Sequence, residues 1–519
     1  MELIKTGIEG LDEVLYGGVI PENTILVEGT PGAGKTTLGL QYIYYGAMRY
    51  GQPGIIITFE EEPEKLYRDA LVFGWDLQEY EKKNLLRVIP SSPEAVSEML
   101  LSSDSGFSRL TSNIGASRIM VDSVTHFRRI TDNIQQLRVL LSKFLTGLNK
   151  IATSSLLIKE IESSELEGAN IEEYITDTVL RLSYEQRGKH RRERFLEVIK
   201  SRGQRHLSGK HTLKFMPSGL AVFPVCSSVQ LPSPGAAGEP AEDLRTGPVR
   251  AMTGIKGLDQ MCGGGFPAGS ATVVAGSSGT GKTVLASQFI HQGLKKGERA
   301  LILTFQQSPV ALAASCRSFG VNLRKYLGSG QCEIMFRDSI GLSVDELLYE
   351  IRGRVSGSEK PRRVAVDGLT QLVQSISDHD YLIDYLGALL ALFAQHGVTS
   401  IFTFEVDKMF GSFDFDSRRT LGLFDNMLLL RYVELEGDIR RALALLKMRG
   451  TDHDKSIPEF VITRSGIEVK TKFESGVEVM GGSAAPKVEK LELKDVLEDA
   501  TRWVEANRKL SERQNRTLK

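Results

Sequence analysis

Short apolar runs recur along the chain, each closed by glycines or by a carboxylate, and they come in two matching series. Thr24-Ile25-Leu26-Val27 and Ala271-Thr272-Val273-Val274 are short apolar strands, each running into a glycine-rich loop. Helical patterns follow, from Leu38 to Met48 and from Val284 to Leu294. Second strands come next, Gly54 to Phe59 and Ala300 to Phe305. Strand, loop, helix and strand at this spacing make a βαβ unit. Each series therefore predicts an α/β domain with a mostly parallel central sheet and helices on both faces. Each also opens alike: Thr6-Gly7-Ile8-Glu9-Gly10-Leu11-Asp12 is echoed 247 residues later by Thr253-Gly254-Ile255-Lys256-Gly257-Leu258-Asp259. Gly17-Gly18 and Gly263-Gly264-Gly265 follow as turns.

The repeat divides the 519 residues into a first lobe, 1–226, and a second, 250–475, each large enough for a deep core. Residues 227–249 hold Pro232, Pro234, Pro240 and Pro248 with Gly235, Gly238 and Gly247, and read as a linker. The repeat ends near Lys472, and residues 476–519 form a charged tail. Leu493, Leu497, Ala500 and Val504 recur there at helical spacing. This is either a solvated helix with one docking stripe or a segment that binds a protein partner or a neighbouring subunit.

The loops carry the chemistry. Gly29-Thr30-Pro31-Gly32-Ala33-Gly34-Lys35-Thr36 and Gly276-Ser277-Ser278-Gly279-Thr280-Gly281-Lys282-Thr283 both fit G-x-x-x-x-G-K-S/T. In that pattern backbone N–H groups cradle phosphate oxygens, the lysine reaches the β/γ-phosphates and the hydroxyl ligates Mg²⁺. Thr37 and Val284 continue the two segments. Two such loops 247 residues apart predict two bound purine nucleoside triphosphates per chain. The metal carboxylate belongs at the end of an apolar strand. Arg118-Ile119-Met120-Val121-Asp122 and Arg363-Val364-Ala365-Val366-Asp367 supply one each, giving Thr36 with Asp122 and Thr283 with Asp367 as the metal sets.

The series part company where water must be activated. The second strand ends Thr58-Phe59-Glu60-Glu61 in lobe one and Thr304-Phe305-Gln306-Gln307 in lobe two. Paired carboxylates suit general-base work, whereas a glutamine can orient water but not take its proton at neutral pH. Glu60, Glu61 and Lys35 are thus the catalytic candidates, and lobe two is expected to bind with weakened chemistry. A third repeat supplies positive charge: Lys200, Arg202 and His206 are matched by Lys447, Arg449 and His453, all offset by 247. Cations so far downstream most simply reach the γ-phosphate bound to a neighbouring subunit.

Composition narrows the classes. With 41% hydrophobic and 25% charged residues and a net charge of −1, the chain has no global pull toward nucleic acid or anionic membrane. Four scattered cysteines point to free thiols in a reducing compartment. The N-terminus is no signal peptide and no apolar run is long enough to span a membrane, so a cytoplasmic location is expected. The eight histidines show no zinc-ligand spacing. The basic stretch Arg187 to Arg194 lies between strand-like runs and reads as a hairpin tip or subunit contact rather than a nucleic-acid surface.

Together the opening motif, both phosphate loops, Phe-Glu-Glu, the strand-end aspartates and Lys-x-Arg-Gly-x-x-His resemble the KaiC family, duplicated RecA-like P-loop ATPases of bacterial clocks and their bacterial and archaeal relatives. The likeness spans roughly residues 3 to 470. It implies two tandem RecA-like domains, ATP with Mg²⁺ as the ligand, and six-membered rings with ATP between neighbours. Glu60 and Glu61 would be the catalytic acids, with Lys200, Arg202 and His206 acting in trans. Two features depart from the clock proteins. Gln306 and Gln307 replace the paired glutamates of the second lobe. The Ser-Thr acceptor pair falls on Leu421-Gly422, with Ser417 and Thr420 as the nearest hydroxyls. The tail also has no evident likeness to the clock proteins' partner-binding tail. The expected function is a ring-forming ATPase that hydrolyses ATP mainly in lobe one and acts as a nucleotide-dependent regulator. A serine/threonine autokinase and a RecA-like nucleic-acid-associated ATPase are the alternatives.

Overall fold

The computed structural model describes residues 2–472 except 102–112, 132, 151–152, 162–170, 188–190, 227–248, 407–416 and 436–437. The tail and all of the linker but Val249 lie outside the described residues. The chain divides into two compact units near residue 228, and each is described by itself.

Lobe one is built on nine strands: β1 Thr24–Gly29, β2 Gly54–Thr58, β3 Leu86–Pro90, β4 Arg118–Asp122, β5 Ser154–Glu160, β6 Thr178–Arg187, β7 Arg191–Ser201, β8 Lys210–Met216 and β9 Gly219–Phe223. Their order across the sheet is β3-β2-β4-β5-β1-β6-β7-β8-β9. The six from β3 to β6 pair in parallel, and the last three join as antiparallel hairpins. The central strands are buried along their length because helices cover both faces, as continuous apolar runs require. On one face Ile25 and Val27 pack with Leu38, Tyr42 and Ile43 of helix Lys35–Tyr50. On the other, Leu26, Ile57 and Val121 pack with Leu141, Phe144 and Leu148 of helix Ile134–Asn149.

Lobe two repeats this plan behind a two-stranded ribbon, β10 Arg250–Ala251 with β11 Phe266–Pro267. Its strands are β12 Ala271–Gly276, β13 Ala300–Thr304, β14 Cys332–Phe336, β15 Arg363–Asp367, β16 Thr399–Glu405, β17 Asn426–Leu435, β18 Asp438–Met448, β19 Pro458–Thr463 and β20 Gly466–Lys472. They run β14-β13-β15-β16-β12-β17-β18-β19-β20, the same order position for position.

The repeated opening motif is a local clasp. Thr6 donates to Asp12 Oδ1 from both its N–H and its hydroxyl at 2.8 Å, and Thr253 does the same to Asp259 at 2.7 and 2.8 Å. A buried arginine then ties each opening to its sheet. Arg118, at the root of β4, donates to the carbonyls of Lys5 (2.6 Å) and Tyr42 (2.8 Å). Arg363, at the root of β15, donates to those of Met252 (2.6 Å) and Phe289 (2.8 Å).

Candidate nucleotide sites

Each phosphate loop joins a buried strand to a helix that begins at its lysine. Gly34 and Gly281 cap those helices at φ 107° and 109°, a left-handed geometry that glycine takes without strain. Helix N-terminus and loop amides together make an anion site. Lys35 Nζ donates to the Thr30 carbonyl at 3.1 Å, and Lys282 Nζ to those of Gly276 and Ser277 at 2.8 Å. Burial lowers the pKa of both lysines, opposed by Glu160 and Asp122 in lobe one and by Glu405 and Asp367 in lobe two.

The expected metal residues meet in both lobes. Thr36 Oγ1 donates to Asp122 Oδ2 at 2.8 Å, and Thr283 Oγ1 lies 3.0 and 3.1 Å from the two oxygens of Asp367. Burial pushes Asp122 up to about 6, with Glu61 and Glu160 adding to the rise and Thr36 and Lys35 opposing it. Asp367 is raised by burial too, opposed by hydrogen bonds from Thr403 and Thr283. Thr403 donates to Asp367 at 2.7 Å, whereas Ile158 stands in the matching register beside Asp122. A hydroxyl with a buried carboxylate is an all-oxygen set suited to a hard divalent cation, and positive charge there would offset the desolvation. The residues therefore fit Mg²⁺.

Beyond Asp122 a 3₁₀ segment, Val124–Arg129, meets the end of β2. Glu60 Oε1 accepts from Arg129 at 2.6 Å and lies 3.3 Å from His126 Nε2. Glu61 Oε1 accepts from Lys65 at 2.6 Å, and the Glu61 backbone is pinned in both directions by the Thr58 hydroxyl. In lobe two Gln306 and Gln371 line a cleft of about 470 Å³ together with Lys282, Thr283, Asp367 and Glu405. Of the hydroxyls nearest the acceptor position, Thr420 is only 3% exposed and Ser417 opens the helix Ser417–Gly422.

The downstream cations are not brought to their own phosphate loops. Lys200 pairs with Val179, which is level with Leu26, three residues before the loop begins after Gly29. Its ammonium bonds the Glu173 carbonyl, and Arg202 bonds the Tyr174 carbonyl at 2.7 Å and lies 3.4 Å from Asp177. His206 turns its ring to the Leu207 carbonyl at 3.2 Å. Lobe two repeats the arrangement. Lys447 bonds the carbonyls of Gly422 (3.1 Å) and Phe424 (2.5 Å), Arg449 lies 3.5 Å from Asp425, and His453 follows in the same loop. Burial, with Arg449 nearby, pushes Lys447 down to about 8. Lys200 and Lys447 thus stand at mid-strand, while Arg202 and Arg449 lie level with the start of the loop strand, away from the phosphate loop.

Several groups at the clefts escaped the sequence reading. Glu160 and Glu405 end the strands beside the loop strands and are the foremost carboxylates acting on the loop lysines. Their offset of 245, the same as that of Asp122 and Asp367, was the available signal. Arg194 donates to the Gly32 carbonyl at 3.0 Å and stacks over Tyr184 (4.1 Å) and Phe215 (4.9 Å). Arg441 and Ile462 line the lobe-two cleft at the corresponding places. So the basic stretch, whose residues 188–190 lie outside the described residues, closes a β6–β7 hairpin and turns one arginine inward.

Lobe one also holds a charged rung directly below its loop. Glu28 on β1 lies level with Lys159 on β5 and Arg181 on β6. Arg181 is 2.7 Å from Glu28 and 3.5 Å from Glu173. Lys159 is 3.2 Å from Glu172, which Arg128 approaches at 3.8 Å. The corresponding rung in lobe two is Phe404, Ala275 and Leu429.

A family model described as the KaiC ATPase matches residues 4–226 and 251–474. Three proteins named circadian clock oscillator protein KaiC are similar along most of the chain. The one from Parathermosynechococcus lividus is 32% identical over 490 residues, covering 92% of this chain and 87% of that protein. The Thermostichus vulcanus protein is 32% identical over 491 residues (92% and 91%), and the Rippkaea orientalis protein 30% over 490 (92% and 91%).

Proposed function

The chain belongs to the KaiC family of ATPases, with two tandem RecA-like domains. On that premise we propose a ring-forming, nucleotide-dependent regulator that binds ATP with Mg²⁺ in both lobes and hydrolyses it mainly in lobe one. One observation carries this reading: the lobes agree at the loop glycines, the loop lysine, the hydroxyl after it and the strand-end aspartate, and differ at the neighbouring strand end, Glu60-Glu61 against Gln306-Gln307. The loop amides of residues 29–34 and Lys35 bind and orient the triphosphate. Thr36 and Asp122 would hold the Mg²⁺, which when bound would shield the charge of the phosphate oxygens. Glu60 and Glu61 align the attacking water and take its proton. In lobe two the amides keep hydrogen-bonding capacity without that basicity, so ATP there serves to hold and report.

Lys200, Arg202 and His206 support assembly, because a set held away from its own phosphate loop suits a site completed by a neighbouring subunit. The matching set in lobe two, Lys447, Arg449 and His453, extends this to both tiers of a homo-hexamer. Among the described residues no helix is long and apolar enough to cross a membrane. The tail 476–519 remains the proposed segment for a protein partner, and the cytoplasm the proposed location. The test is ATP turnover of Lys35→Ala and Lys282→Ala, each with the particle mass measured in parallel. Lys35→Ala is expected to remove at least about 100-fold and Lys282→Ala less than half of the turnover. Comparable losses from intact hexamers would overturn the asymmetry.

A further inference from the structure

Aligning the two lobes sets Glu60, His126 and Arg129 against Gln306, Gln371 and Gln374. Matching contacts fix this alignment: Thr125 Oγ1 accepts from Glu160 N at 2.9 Å and Thr370 Oγ1 from Glu405 N at 2.8 Å, while Thr58 and Thr304 lie level with Asp122 and Asp367. A carboxylate, an imidazole and a guanidinium in lobe one all correspond to amides in lobe two. The three positions that meet in space differ together.

In lobe one both side chains converge on a single atom. Arg129 Nη2 lies 2.6 Å, and His126 Nε2 3.3 Å, from Glu60 Oε1. His126 is itself held, with 11% of its side chain exposed and its ring edge-on to Phe59 at 6.4 Å. Phe59 also packs edge-on against Phe127 at 5.9 Å, locking the 3₁₀ segment to the end of β2. Glu61 is engaged separately, by Lys65.

An exposed ion pair contributes little to stability, and Glu60 and Arg129 are both more than half exposed. Its effect is geometric. A carboxylate at a strand end turns freely unless one oxygen is fixed, and fixing Oε1 leaves the lone pairs of Oε2 for a water. We infer that His126 and Arg129 are positioning residues for Glu60, and that lobe two lacks the clamp as well as the carboxylates. This rests on the reading of lobe one as the hydrolysing lobe.

The test uses the full chain with Mg-ATP and measures kcat and KM. His126→Gln combined with Arg129→Gln, the lobe-two residues, is expected to lower kcat at least about tenfold with KM within about threefold, since small misplacements of reacting groups act on the chemical step. Thermal melting stays unchanged, and Arg129→Lys keeps more of kcat than Arg129→Gln. In a Glu60→Gln background the same pair of changes costs nothing further, as expected of residues acting through Glu60. An equal loss of kcat in both backgrounds overturns the inference. So does an unchanged kcat in a protein whose turnover Lys35→Ala abolishes. Turnover that survives Lys35→Ala overturns the reading beneath it as well.

Discussion

The two lobes share strand order, phosphate loops and hydroxyl–carboxylate pairs, yet differ in two layers beneath that likeness. Around β2 a charged cluster in lobe one is an amide cluster in lobe two. One strand layer further in, the Lys159–Glu28–Arg181 rung of lobe one is Phe404–Ala275–Leu429 in lobe two. The loop glycines, the loop lysines, the hydroxyls and the strand-end aspartates are the same in both copies. The strand-end pair at 60–61 and the polarity of the core behind the loop are not. Lobe one carries buried charge that must be paired; lobe two replaces it with apolar contact.

The largest effect expected from breaking this difference lies in the rung. Glu172→Ala leaves Lys159, 1% exposed, without its ion-pair partner, and a stranded buried charge costs about 3–5 kcal/mol. Adding Lys159→Phe, the residue of lobe two, is expected to recover most of that loss in denaturant unfolding. Failure to recover would mean that the two cores are not interchangeable at this position.

Asp122 sharpens the comparison through pH. Its folded pKa of about 6 lies above the usual carboxylate value, so lobe one binds more protons folded than unfolded between roughly pH 4 and 6. Stability present below pH 4 is lost as pH rises through 6, by about 2–3 kcal/mol at most in Mg-free buffer. Asp122→Asn should therefore raise the melting temperature at pH 7.5 and leave it nearly unchanged at pH 4. Asp367→Asn is expected to act in the same direction but less, because Thr403 already donates to that carboxylate.

The smallest effect should be symmetric. Thr6→Ala and Thr253→Ala each remove the hydroxyl that bonds the clasp aspartate, at about 1 kcal/mol apiece. Equal costs by chemical denaturation would mark the opening motif as architecture common to both copies.

What could be read from the sequence was local or repeated. The phosphate loops, their flanking strands and the strand-end aspartates are contiguous signals, and the fixed offset doubled their weight. Glu28, Lys159 and Arg181 each look like one polar interruption in an apolar run, and only strand register brings them onto one rung. Arg194 was hidden in a basic stretch because its target, Gly32, lies 162 residues away. Lys200, Arg202 and His206 were read as serving a neighbour; within lobe one their side chains turn to the Glu173, Tyr174 and Leu207 carbonyls.

The buried arginines that tie each opening to its sheet give the molecule a mechanical polarity. A pull on the segment entering lobe two is delivered through the Met252 carbonyl to Arg363, and so to the root of the strand whose tip is Asp367. One buried side chain and one short strand thus separate the opening of lobe two from the aspartate at its cleft.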